Sequence, residues 1–159
     1  KFVPLFVTNA IDEQPLPLYG DGRQRRDWLA VEDHCSAIEH VFFQGEPGQI
    51  YNIGGGNEWE NIAVAEQIVR HLGKSRDLIR SVQDRLGHDR RYAVDCSKLR
   101  RLGWSPVVPF EEGLCATVQW YQKHEDWWRT IKSGEFRQYY EQQYRQRLQE
   151  GVTETRVKG

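Results

Sequence analysis

The chain has 159 residues, a formal net charge of −1 and 38% hydrophobic residues. That length suits one domain, and near-neutrality excludes a global field drawing the protein to nucleic acid or a membrane. Six tryptophans, seven tyrosines and six phenylalanines supply bulky core material.

The predicted elements run as follows. Residues 3–12 read as a short helix, with Leu5, Phe6, Ala10 and Ile11 on one side and Pro4 in its first turn. Residues 14–22, with two prolines and two glycines, read as an extended, turn-rich segment. Residues 23–31 alternate like a strand, with Arg26, Trp28 and Ala30 on one face. A helix is expected over 32–45, its stripe formed by Ile38, Val41 and Phe42 and its stop by Gly45. Residues 48–58 read as a short buried strand running into a glycine loop. The strongest helix signal is 61–73, with Asn61 as N-cap, Ala65, Ile68, Val69 and Leu72 as stripe, and Gly73 as stop. A strand over 79–82 leads to a charged loop, "DRLGHDRRYAVD", over 84–95. A short helix over 96–104 and a longer one over 109–128 follow. From about residue 135 the chain is rich in Gln, Arg and Glu, and reads as a polar tail, helical or disordered. Alternating strands and helices indicate an α/β or α+β class.

Cys35, Cys96 and Cys115 are widely spaced and form no CxxC pair, which argues against a disulfide framework and a zinc site. Buried free thiols in a reducing cytosol are the expectation. No apolar run approaches the length of a membrane span, and the start lacks signal-peptide architecture. The chain contains no methionine, so a longer gene product is expected.

No dinucleotide fingerprint, P-loop, nucleophile elbow or HExxH is present; the glycines at 54–56 lack the required spacing. What stands out is a scatter of anion-capable groups at element ends. Arg26 sits in a strand, Asn61 at a helix start, and Arg85 and His88 in a loop. A helix N-terminus and an arginine fork both suit a phosphate. Each residue also has a plain structural reading: cap, surface strand residue or solvated charge run. Asp33 and His34 could suggest acid–base work, but an acid is simply favourable at a helix start.

Four stretches, "PLPLYGDGRQRRDWLAVEDHCSAI", "YNIGGGNEWENI", "DRLGHDRRYAVDCSKLRRLGW" and "EEGLCATVQWYQKHEDWW", together resemble the C-terminal part of the dTDP-glucose 4,6-dehydratases. The phrase "GHDRRY" is specific to that group of extended short-chain dehydrogenases/reductases, whereas "RDWLAVEDH" is shared with epimerases and decarboxylases. The resemblance covers roughly residues 1–130. It implies an α/β substrate-binding part, a mixed small sheet plus helices, lacking most of the N-terminal Rossmann sheet. It divides the chain into a substrate domain over 1–134 and a tail over 135–159.

By resemblance, Arg26 and Asn61 bind the substrate's diphosphate, and Asp84, Arg85, Leu86, Gly87 and His88 form a loop that closes over it. Pro17, Leu18 and Tyr19 line the nucleobase, Lys1 and Phe2 end another substrate-contacting stretch, and Tyr92 lies nearby. The three arginines of the loop would then be counter-charges. The group commonly has proline at Leu86 and a larger polar residue at Gly56; Leu86 leaves the loop less rigid.

The family's reaction oxidises C4 with NAD, eliminates water across C5–C6 and returns the hydride to C6. The NAD site, the Tyr-x-x-x-Lys pair and the Asp–Glu pair belong to its N-terminal half, so no catalytic, cofactor or metal residue is expected here. The implied partners are a dTDP-sugar, that N-terminal half and a second copy of the full-length enzyme. The fragment alone is expected to be inactive, with apolar faces left uncovered. The alternatives are a UDP-sugar dehydratase, decarboxylase or epimerase, a stand-alone nucleotide-sugar-binding module, or a polyanion-binding domain.

Overall fold

The computed structural model describes residues 1–156. Helix α1 spans Phe2–Ile11, and strand β1 spans Leu16–Tyr19. Strand β2 (Arg25–Asp27) precedes helix α2 (Val31–Gln44). Strand β3 (Glu58–Glu60) runs straight into helix α3 (Asn61–His71). A 3₁₀ turn leads to strand β4 (Ile79–Val82), and then come α4 (Ser97–Arg101), α5 (Phe110–Lys123), α6 (Glu125–Lys132) and α7 (Glu135–Arg156).

Among the described residues the strands form two separate pairs. β1 and β4 are parallel, with Leu16 opposite Ile79 and Tyr19 opposite Val82. β2 and β3 are antiparallel, with Arg26 opposite Trp59. Two such short ladders cannot stand alone; helices hold them. The main core gathers Phe6 and Val7 of α1, Leu16 and Leu18 of β1, Val64 and Ile68 of α3, and Leu114 and Val118 of α5. The 61–73 stripe is therefore confirmed at Ala65, Ile68 and Val69, and Gly73 ends the helix at φ +63°. A smaller cluster joins Ala37, Leu99 and Trp104.

Several expectations fail for identifiable reasons. The 23–31 strand shortens to β2, because helix α2 already starts at Val31. No strand forms over 48–57; the segment is a loop with Ile50 82% exposed, and pairing begins only at Glu58. The predicted 109–128 helix breaks at His124 (φ −120°, ψ 40°), so α5 and α6 are separate. Residues 135–156 form α7; residues 157–159 lie outside the described residues.

Helix α2 is turned away from its predicted stripe. Its buried residues are Asp33 and Ala37, while Val31, Cys35, Ile38 and Phe42 are exposed, Phe42 by 79%. Their spacing places them on one helical face. An uncovered apolar face of this kind drives association. Phe42→Glu is expected to weaken self-association about tenfold, since burying one large side chain is worth about 1.5–3 kcal/mol. Sedimentation equilibrium of the two chains checks it; unchanged association would place the contact elsewhere.

Candidate functional site

The anion-capable residues meet where β2, β3, the start of α3 and the 84–92 loop converge. Sheet pairing puts Arg26 beside Trp59. The loop returns along the other edge of β2: the Arg25 amide donates to the Arg90 carbonyl at 2.8 Å, and the Tyr92 amide to the Arg25 carbonyl at 3.1 Å. The β2 backbone thus carries a partner on each side.

Arg26 latches this loop. One Nη2 donates to the Asp89 carbonyl at 3.0 Å and lies 3.1 Å from His88 Nε2, while the guanidinium sits 4.1 Å above the centre of the Tyr92 ring. Arginine only donates, so His88 Nε2 accepts and its Nδ1 carries the proton. That proton goes to Asp84 Oδ1 at 2.6 Å. Asp84 also accepts from the Arg85 amide (2.8 Å) and from Gln24 Nε2 (2.8 Å). Arg26, His88, Asp84 and Gln24 form one chain of contacts. Tyr92, placed near the site by resemblance, packs directly under Arg26.

The three loop arginines have different roles. Arg90 pairs with Asp21 (2.8 Å) and Arg91 with Glu58 (2.5 Å), so their charges already have partners. Arg85 and Leu86 are exposed at the tip, Leu86 fully.

These pairs make the loop acid-sensitive. Burial opposes ionisation of Asp84, but His88, the Arg85 amide and Gln24 outweigh it and hold the carboxyl below its usual range. Arg90 and the Arg23 amide hold Asp21 at about 2. Arg91 likewise lowers Glu58. A depressed carboxylate stabilises the fold above its unfolded value and loses that contribution as pH falls through the folded one. Loop anchoring should therefore be intact above about pH 4.5 and fade below about pH 4 toward 2. Protection of the Tyr92 and Arg25 amides against hydrogen exchange should drop in that window. Constant protection down to pH 2 would show the carboxylates do not hold the loop.

Asn61 does not cap α3. Glu60 is the N-cap, without a side-chain bond, and Asn61 is the first helical residue. Its amide donates to the Gln24 carbonyl at 3.0 Å. Its side chain is 9% exposed, and Oδ1 is buried without a hydrogen-bond partner, as is Gln24 Oε1. Both oxygens are acceptors, so neither is itself a contact for a phosphate.

The glycine loop serves another purpose. The Gly56 and Asn57 amides donate to the Asp27 carboxylate at 3.2 and 2.8 Å. A Cβ at Gly54 would lie 2.5 Å from Asp27 Oδ2, and one at Gly55 2.5 Å from the Trp28 carbonyl. The loop wraps an anion of its own chain, and so does not fit a dinucleotide pyrophosphate. Among the described residues no cluster of three His, Cys, Asp or Glu side chains could hold a metal ion, and no helix is long and apolar enough to cross a membrane.

Asp33 is a structural acid. It is 2% exposed, and its two oxygens accept from the Val107 and Val108 amides at 3.1 and 3.0 Å. His34 is exposed next to it.

The remaining predicted residues divide. Tyr19 ends β1 with its ring edge-on to His88, 5.7 Å between centres, and so joins the cluster. Pro17 and Leu18 are buried in β1 behind it. Phe2 instead stacks on Phe6 at 4.0 Å and packs near Trp28, while Lys1 is exposed at the start of α1. Phe2 thus meets Trp28, one residue past the end of β2. Gly87 turns the loop at φ +68°.

The model of the GDP-mannose 4,6 dehydratase family matches residues 1–117. The chain belongs to this family. Its relatives include dTDP-glucose 4,6-dehydratases of Streptomyces niveus, 49% identical over 134 residues and 84% of this chain, and of Neisseria meningitidis, 49% identical over 149 residues and 86% of this chain. These matches cover 40% and 42% of the relatives, so the chain spans about two fifths of their length. The crystal structure of dTDP-glucose 4,6-dehydratase from Bacillus anthracis, in complex with NAD, matches with a TM-score of 0.78 at 53% identity, covering 83% of this chain and 42% of that one. UDP-glucose 4-epimerase from Thermotoga maritima, solved with UDP-glucose, matches at 0.72 and 27% identity, over 77% of this chain and 40% of that one. The fold is thus a mixed α/β part of an extended short-chain dehydrogenase/reductase.

Sequence reading of this family member missed four residues. Gln24 and Asp89 complete the Arg26 network. Period-two alternation places Gln24 on the Arg26 face, so that signal was available. Tyr144 and Arg147 reach Tyr19 from the tail, and no sequence signal marks them.

Proposed function

We propose that this chain is the nucleotide-sugar-binding part of a dTDP-glucose 4,6-dehydratase, an enzyme converting dTDP-glucose to dTDP-4-keto-6-deoxyglucose and water. The observation that carries this reading is the Arg26–His88–Asp84 network, joined through Gln24 to the start of α3. Arg26 and Arg85 supply positive charge for a diphosphate, with the guanidinium fork matched to its oxygens. The start of α3 adds its dipole. Pro17, Leu18 and Tyr19 form the wall for the base, and residues Asp84–His88 cover the ligand.

NAD, which supplies the redox chemistry of such an enzyme, would be held by the part of the protein this chain does not span. By itself the chain binds and orients substrate; it is expected to be inactive. In the whole enzyme a homodimer in the cytoplasm is the expectation.

Calorimetric titration with dTDP and with UDP tests the reading. Selective dTDP binding supports a dTDP-sugar dehydratase. Preference for UDP turns it toward a UDP-sugar enzyme such as the epimerase that shares the fold. Binding of neither nucleotide overturns the reading of this chain as a self-sufficient binding part.

A further inference from the structure

The family model ends at residue 117, and α7 lies beyond it. This helix nevertheless packs on β4, and its side chains reach past it to both ends of the neighbouring β1. Tyr140, Tyr144 and Arg147 follow at i, i+4 and i+7, which places them on one helical face. Tyr140 Oη donates to the Pro15 carbonyl at 3.2 Å and accepts from Asn9 Nδ2 at 3.0 Å, fixing the helix at the entry of β1. At the exit, Tyr19 Oη donates to Tyr144 Oη at 3.4 Å and accepts from Arg147 Nη1 at 3.0 Å. The Arg147 guanidinium also lies 5.3 Å from the centre of the Tyr19 ring, and Tyr144 is 9% exposed.

Tyr19 is thus held from two sides, by α7 at its hydroxyl and by His88 at its ring. We infer that Arg147 and Tyr144 are positioning residues for the nucleotide end of the site. They fix the Tyr19 ring, and through it the His88 side of the loop. The assignment of a nucleobase to Tyr19 rests on the proposed function; the coupling of α7 to His88 does not. The polar tail is then a wall of the binding site.

The test uses the 159-residue chain and has one arm without ligand. Ring-proton resonances of the five histidines are recorded for wild type and Arg147→Ala. His88 should shift while His34, His40, His71 and His124 stay in place. Arg147→Lys keeps a donor and should shift it less. In a Tyr19→Phe background, where only the ring contact remains, Arg147→Ala should cause a clearly smaller shift. An unmoved His88, or an equal shift without the Tyr19 hydroxyl, overturns the coupling.

The second arm is dTDP affinity. Arg147→Ala and Tyr144→Phe should each weaken it about threefold to tenfold, the range of one hydrogen bond, and by clearly less in the Tyr19→Phe background. Unchanged affinity overturns the role at the nucleotide end. If wild type binds no dTDP, the nucleotide reading falls with that role, and the histidine shifts still decide the coupling.

Discussion

Arg26→Ala is expected to weaken dTDP binding about a hundredfold or more, with the far-ultraviolet circular dichroism unchanged. Two losses combine. A charged hydrogen bond to the diphosphate contributes about 1.5–3 kcal/mol. The alanine chain also loses the latch to His88 and the Asp89 carbonyl and the guanidinium over Tyr92, so the loop over the ligand loosens. Arg26→Lys should recover only part, because an ammonium keeps the charge without the planar fork. Arg90→Ala is the control. Its charge is held by Asp21 at the surface, where such a pair contributes little, so a change of no more than about threefold is expected. Calorimetry on the four chains gives the answer. Near-wild-type affinity for Arg26→Ala would remove Arg26 from the site, and a large loss for Arg90→Ala would mean the whole basic run acts as a field.

Asp33→Ala should destabilise the fold by about 3 kcal/mol, without any direct role in ligand contact. The carboxylate is buried and takes two backbone amides, those of Val107 and Val108. Without it, two donors lose their partners at about 1–3 kcal/mol each. The first turn of α2 also loses an acid that favours it. Asp33→Asn keeps one acceptor oxygen but turns an N–H₂ toward the other amide, so it should recover only part. Urea unfolding midpoints of the three chains measure this. An alanine chain as stable as wild type would show that water takes over both amides.

How far the site was legible depends on the reach of each interaction. Arg26 and the 84–88 loop could be singled out because charge clusters and strand alternation are local patterns. Gln24 shared that pattern, yet its importance comes from burial and from Asp84, sixty residues away. The loop arginines look alike in sequence. Asp21 and Glu58 separate Arg90 and Arg91 from Arg85, and both acids come from other segments. The Asn61 cap was misjudged for a similar reason. Its amide is taken by the Gln24 carbonyl, so the helix starts one residue earlier than its composition suggests.

The sequence by itself determined the elements whose signal lies within one or two turns. α3 has a strong apolar period and a glycine stop, and β4 falls on the strand expected over 79–82. Its motifs also determined the family. The tertiary structure alone decided which face of α2 is buried, since Asp33 is drawn in by two amides more than seventy residues away while Phe42 points out. It alone turned the glycine loop onto Asp27 and laid α7 on β4, with its side chains on Tyr19 and Pro15. Periodicity reports the average preference of a segment for an apolar neighbour. Which neighbour arrives, and with which donor or acceptor, is set by chain segments far away in sequence.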